Sequence, residues 1–203
     1  ERVGQDKILI FAPLKSKNIM AKKKIITKKS EAFLEKYLNN PSPTGFESGG
    51  QKMWLDYISP YIDEHFVDTY GTVVGVINPE AKYKVVIEAH ADEISWFVHY
   101  ITKDGYIYLR RNGGSDHQIA PSKRVNIHTK KGMVKAVFGW PAIHTRTAGT
   151  EKSPKLDNIF LDCGCASKEE VEALGIHVGC VVTYEDEFMI LNKNFYVGRA
   201  LDN

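Results

Sequence analysis

A chain of 203 residues is long enough to bury a sizeable core in one large or two small domains. The composition, 43% hydrophobic and 26% charged, is that of an ordinary globular protein. Lys and Arg total 27 against 25 Asp and Glu, and the resulting +2 is too balanced for a nucleic-acid surface; nor does any apolar run approach the roughly 20 residues that span a bilayer. Neither nucleic acid nor a membrane is therefore expected as a partner.

In chain order, Ile8–Ala12 is a short apolar patch followed by basic residues, the reverse of a signal peptide. The basic bias gathers between Lys15 and Lys29, so residues 1–29 read as a solvated leader or tag, with a phosphate- or membrane-binding arm as the alternative. Met20 is a candidate natural start. Ser30 can cap a helix whose apolar positions Phe33, Leu34, Tyr37 and Leu38 share a face. Two prolines and a glycine in Asn39–Gly45 end it. A second amphipathic helix carries Met53, Trp54, Tyr57, Ile58 and Tyr61, and strands follow at His65–Asp68, Thr72–Ile77 and Tyr83–Ala89. This is the opening of an α/β layered domain.

After Glu93 the texture changes to short β-type segments broken at Lys103-Asp104-Gly105, Asn112-Gly113-Gly114 and Lys130-Lys131-Gly132. Arg124–Thr129 pairs with Met133–Gly139 as a hairpin. A short helix starts at Ser167 with capping-box spacing to Glu170 and stops at Gly175. Strands resume at Val181–Tyr184 and Glu187–Leu191. This stretch reads as a small barrel or sandwich interrupting the first domain, to which Tyr196–Asn203 returns as a buried-type strand. Cys163, Cys165 and Cys180, an odd number, read as the reduced thiols of a cytoplasmic protein.

The chemistry concentrates where the apolar run Val85–Ala89 stops at His90, with Asp92 two residues on. A strand ending in a histidine beside a carboxylate can present one ring nitrogen to a metal while the acid holds the other. A second apolar run at the far end delivers Asp202. Glu185, Asp186 and Glu187 read as a solvated turn, and His65, His99, His117, His128, His144 and His177 show no ligand spacing.

Five segments in order then carry a resemblance: Pro41–Glu47, Ala89–Ile94, Asn112–Gln118, Asp162–Glu170 and Val197–Asn203. Across residues 30–203 the chain resembles the glutamyl aminopeptidase and tetrahedral aminopeptidase family of dimetal peptidases. The resemblance implies an α/β fold: an incomplete catalytic α/β/α sandwich over 30–93 and 196–203, with an inserted β-rich, barrel-like assembly domain over 94–195. It implies His90 and Asp202 as metal ligands, with Asp202 bridging, and Asp92 as the catalytic-site carboxylate that orients His90. Two divalent ions, zinc or cobalt, would sit about 3.5–4 Å apart. Gln118 would approach a neighbouring subunit's site, although Ser115 stands where the family has Trp. Peptides are the implied substrates, and self-association into dimers and dodecamers the implied assembly. The family pattern continues past Asp202 with a Glu-Glu pair and further ligands, so this chain is expected to lack the C-terminal part and to be inactive alone. Two other readings stay open: a non-catalytic β-rich assembly module, and an endoglucanase, in whose chemistry His90-Ala91-Asp92 has no role.

Overall fold

The computed structural model describes residues 26–147, 153–193 and 195–202. Most of the expected leader, residues 1–25, lies outside the described residues, as does Asn203. The first helix, α1 (Lys28–Asn39), starts earlier than its sequence pattern suggests, because Thr27 and not Ser30 is the cap. The Thr27 hydroxyl accepts the Ser30 N–H at 3.1 Å, and the Ser30 hydroxyl accepts the Thr27 N–H at 2.9 Å. Lys28 and Lys29, expected in the leader, are thus its first turn.

Helix α2 (Ser48–Ile58) packs on α1 through Phe33, whose ring stacks on Tyr57 at 3.8 Å and lies 5.4 Å from Tyr37. Gly50 permits the close approach of α2 to the preceding loop, since a Cβ there would lie 2.4 Å from Ser42 Oγ. Tyr61, placed on the buried stripe by its spacing, is 57% exposed in the short 3-10 turn Ser59–Tyr61, where Pro60 has ended the α-helical repeat. Strands β1 (Glu64–Val67) and β2 (Val73–Val76) form an antiparallel pair, its turn closed by Asp68 Oδ1 accepting the N–H groups of Tyr70 and Thr72.

Tyr83–Ala89 departs from expectation. It is not a strand, and Val85, Val86 and Ile87 are 73, 82 and 94% exposed. Its β-branched residues favour extended backbone, but a strand also needs a neighbour to share its hydrogen bonds. Among the described residues no ladder pairs with it.

Six antiparallel strands close into a barrel: β3 (Ser95–Ile101), β4 (Ile107–Asn112), β5 (Arg124–Thr129), β6 (Gly132–Gly139), β7 (Phe160–Asp162) and β8 (Val181–Tyr184), in spatial order β3-β4-β7-β6-β5-β8. Alternate side chains point inward along each strand. Trp96, Ile107, Val125, Ile127, Leu161 and Val182 are fully buried in one core. Helix α3 (Lys168–Ala173) adds Val171 to that core; Ser167 caps it by accepting the Glu170 N–H, and Gly175 follows it at φ +88°. Burial pushes the Cys163 thiol up to about 11, so it stays protonated at neutral pH.

The chain then leaves the barrel for a small hairpin, β9 (Met189–Leu191) and β10 (Phe195–Val197). The expected strand from Glu187 starts two residues later, and the last segment is not a buried strand: Phe195 and Val197 are exposed. The hairpin leans on α1 instead. The Tyr196 hydroxyl donates to Glu31 at 2.7 Å, and the Phe188 N–H to Asn39 Oδ1 at 2.8 Å.

One buried contact in the barrel should be legible as a pH effect. Half-buried His128 shares a 2.9 Å hydrogen bond with Thr183 Oγ1, and its pKa is lowered by burial first and then by the Arg199 charge. A histidine whose folded pKa is depressed stabilises the fold fully above its unfolded value of about 6.5, and that contribution is lost as pH falls below it. Stability should therefore drop between pH 7.5 and 5.5, and by less in His128→Gln. Equal pH slopes in denaturant melts of the two proteins would contradict this.

Candidate functional site

Two extended segments lie side by side below the barrel. Pro43 and Glu93 form a parallel bridge: the Glu93 N–H donates to the Ser42 carbonyl at 2.8 Å, and the Thr44 N–H to the Glu93 carbonyl at 3.3 Å. This register places the Thr44 hydroxyl on Asp92 Oδ2 at 2.5 Å. The other Asp92 oxygen lies 3.1 Å from His90 Nδ1. The Thr44 hydrogen bond, followed by the His90 contact, holds the Asp92 carboxyl below the usual range, so it is ionised at neutral pH. An ionised Asp92 keeps the ring proton on Nδ1 and makes Nε2 the lone-pair nitrogen.

That nitrogen points along the chain's far end. His90 Nε2 and Asp202 Oδ2 are 3.9 Å apart. Bonds of about 2.0–2.1 Å from nitrogen and about 2.0–2.2 Å from oxygen reach across that gap, so one divalent ion fits between them. The donor types suit zinc, cobalt or manganese. Among the described residues no group of three or more His, Cys, Asp or Glu gathers to complete a coordination sphere.

The barrel is tied to this arrangement at one corner. The Asn112 side-chain amide donates to the Thr44 carbonyl at 3.1 Å and to Ser95 Oγ at 2.9 Å, and buried Ser115 donates to the Ser95 carbonyl at 2.6 Å. Beside Asp92 opens a cleft of about 510 Å³ lined by Phe46, Gln51, Lys52, Tyr70 and Val73.

The structure thus brings His90, Asp92 and Asp202 together from segments far apart in sequence. It does not bring Gln118 to them: that residue is exposed on the loop after β4, its N–H bonded to Asp116 Oδ1, and none of its described hydrogen bonds reaches the cluster. Sequence reasoning gave no role to Thr44, Glu93 or Arg199. Their only signal was that each lies within one of the segments that carry the resemblance, Pro41–Glu47, Ala89–Ile94 and Val197–Asn203.

An α/β segment beside a closed six-stranded barrel is a fold shared with solved aminopeptidases. The model of the M42 glutamyl aminopeptidase family matches residues 71–203, and the chain belongs to that family. It is 28% identical over 174 residues to the lysyl aminopeptidase of Pyrococcus furiosus, covering 84% of this chain and 50% of that protein. The TET aminopeptidase of a marine sediment archaeon, Thaumarchaeota archaeon SCGC AB-539-E09, superposes with a TM-score of 0.76 at 28% identity, over 81% of this chain and 46% of that one. The TET1 peptidase of Pyrococcus horikoshii, which can assemble into a tetrahedron or a large octahedral shell, superposes with a TM-score of 0.73 at 26% identity, over 85% and 52%. The chain spans about half the length of the curated relatives it matches.

Proposed function

We propose that this sequence forms the N-terminal metal-holding part of a metal-dependent aminopeptidase acting on N-terminal peptide bonds. The observation that carries the reading is the 3.9 Å approach of Asp202 to the ring nitrogen of His90 opposite the one that Asp92 holds. His90 and Asp202 would bind divalent ions, zinc or cobalt, with Asp202 shared between two. Bound there, such ions supply Lewis acidity to a peptide carbonyl and acidify a water. The chain's own contribution is orientation. Thr44 fixes Asp92, Asp92 fixes the tautomer and plane of His90, and the cleft at Phe46 and Gln51 keeps an open approach to that side.

In this reading residues 30–93 and 196–203 belong to an α/β/α sandwich, and 94–195 are the inserted assembly domain of a homo-oligomer. Its support is the closed barrel and the shells formed by the P. horikoshii relative. Gln118, exposed on the β4–β5 loop, would meet a neighbouring subunit there. The unpaired cysteines fit a reducing, cytoplasmic setting. Two ligands are too few for tight binding, so these 203 residues alone should not turn over substrate.

The test is hydrolysis of aminoacyl-p-nitroanilides by the intact protein carrying this sequence, with added zinc or cobalt. Activity should vanish with chelator and in His90→Ala, and fall about 10–100-fold in Asp92→Asn. An intact protein that cleaves no aminoacyl substrate with either metal would sink the reading.

A further inference from the structure

Glu93 and Arg199 are separated by 106 positions, yet they form a buried fork. Arg199 Nε donates to Glu93 Oε2 at 2.7 Å and Nη2 to Oε1 at 3.3 Å, with side chains 9% and 3% exposed. Two further guanidinium donors are used as well: Nη1 on the Asp186 carbonyl at 3.2 Å and Nη2 on the Asn39 carbonyl at 3.5 Å. Glu93 Oε1 also accepts the Ser42 N–H at 2.9 Å. One ion pair therefore gathers the end of α1, the Ser42–Thr44 loop, the His90–Glu93 segment and both flanks of the β9–β10 hairpin.

The sequence positions give the pair its significance. Glu93 directly follows Asp92, and Arg199 stands three residues before Asp202. His90 and Asp202 have side chains 47% and 91% exposed, so neither is enclosed in a packed core and the segments that carry them matter to their separation. Those segments are joined through this fork. A buried charge pair is a costly way to stabilise a fold, since apolar residues of similar volume commonly do as well; its advantage is a fixed geometry. The planar guanidinium supplies that geometry, which a lysine ammonium of equal charge does not.

We propose that Glu93 and Arg199 are positioning residues that set the spacing of His90 and Asp202 for metal binding. The proposal rests on the metal-site reading above and adds the residues that place the ligands.

Arg199→Lys in the intact protein keeps the charge and removes the fork; Glu93→Asp shortens the other arm and serves if the first variant fails to fold. The expected result is a cobalt affinity lowered about tenfold or more, with an altered cobalt d–d absorption spectrum, while the far-UV spectrum is retained. Cobalt affinity and spectrum equal to the parent's would overturn the proposal. A parent that binds no cobalt would instead refute the metal-site reading. The clamp is then read from amide hydrogen exchange without metal. Residues 42–44 and 200–202 should lose protection together in the variant, and unchanged protection would overturn it.

Discussion

Trp96→Ala is expected to lower the unfolding free energy by about 3–5 kcal/mol, the cost of deleting a large aromatic side chain from a packed core. Trp96 is completely buried on β3, where its ring meets Phe138 edge-on at 5.3 Å and Tyr184 at 6.4 Å. These neighbours come from β6 and β8, which flank β5 in the closed barrel, so the indole fills space between strands that cannot move together without breaking ladders. Collapse around the cavity is correspondingly limited. Trp96→Phe, which retains a ring, should cost less than Ala. Denaturant unfolding followed by far-UV circular dichroism measures both; a loss under about 1 kcal/mol for Ala would show that the barrel core repacks freely.

Gly105→Ala should be nearly as damaging, although it adds only a methyl group. Gly105 turns the chain between β3 and β4 at φ +85°, and a Cβ there would lie 2.4 Å from the carbonyl oxygen of Cys165. Left-handed backbone costs an alanine about 1–2 kcal/mol and overpacking against a rigid neighbour about 1–3, so about 2–5 kcal/mol is expected in total. Gly164→Ala is the matched control. Its φ is +79°, but a Cβ meets nothing within 4 Å, so only the backbone part should appear. Equal melting shifts for the two variants would mean that the Cys165 loop moves aside.

What the sequence reveals about this fold follows the range of the interactions involved. Arg124–Thr129 and Val181–Tyr184 are strands with the expected ends, the first marked by its alternation, and Ser167 and Gly175 bracket α3 as their chemistry predicts. Each of those signals lies within a few residues of the element it defines. Phe160–Asp162 has no such signal. Three residues slot between β4 and β6 by pairing with partners far away in sequence, and only closure of the barrel makes them a strand. Tyr83–Ala89 errs in the opposite direction, because composition favours extension but cannot supply a neighbour. At the site the same distinction holds. His90 and Asp92 stand out as a short motif, whereas Thr44 meets Asp92 across 48 positions and Arg199 meets Glu93 across 106. Nothing local marks either contact.

The unpaired run from Tyr83 to Ala89 has a mechanical consequence for the residue that ends it. His90 is braced on its C-terminal side, where Asp92, Thr44 and Asn112 link it to the barrel, while the backbone leading into it carries no ladder among the described residues. The backbone on that side of the imidazole therefore takes no support from a sheet among the described residues. A strand laid along Val85–Ile87 would add support on that side, stiffening the histidine without touching it. Sheet pairing of Val85–Ile87 and the stiffness of His90 would in this way be linked, and an element that covered those three apolar side chains would also tune how firmly the imidazole is held.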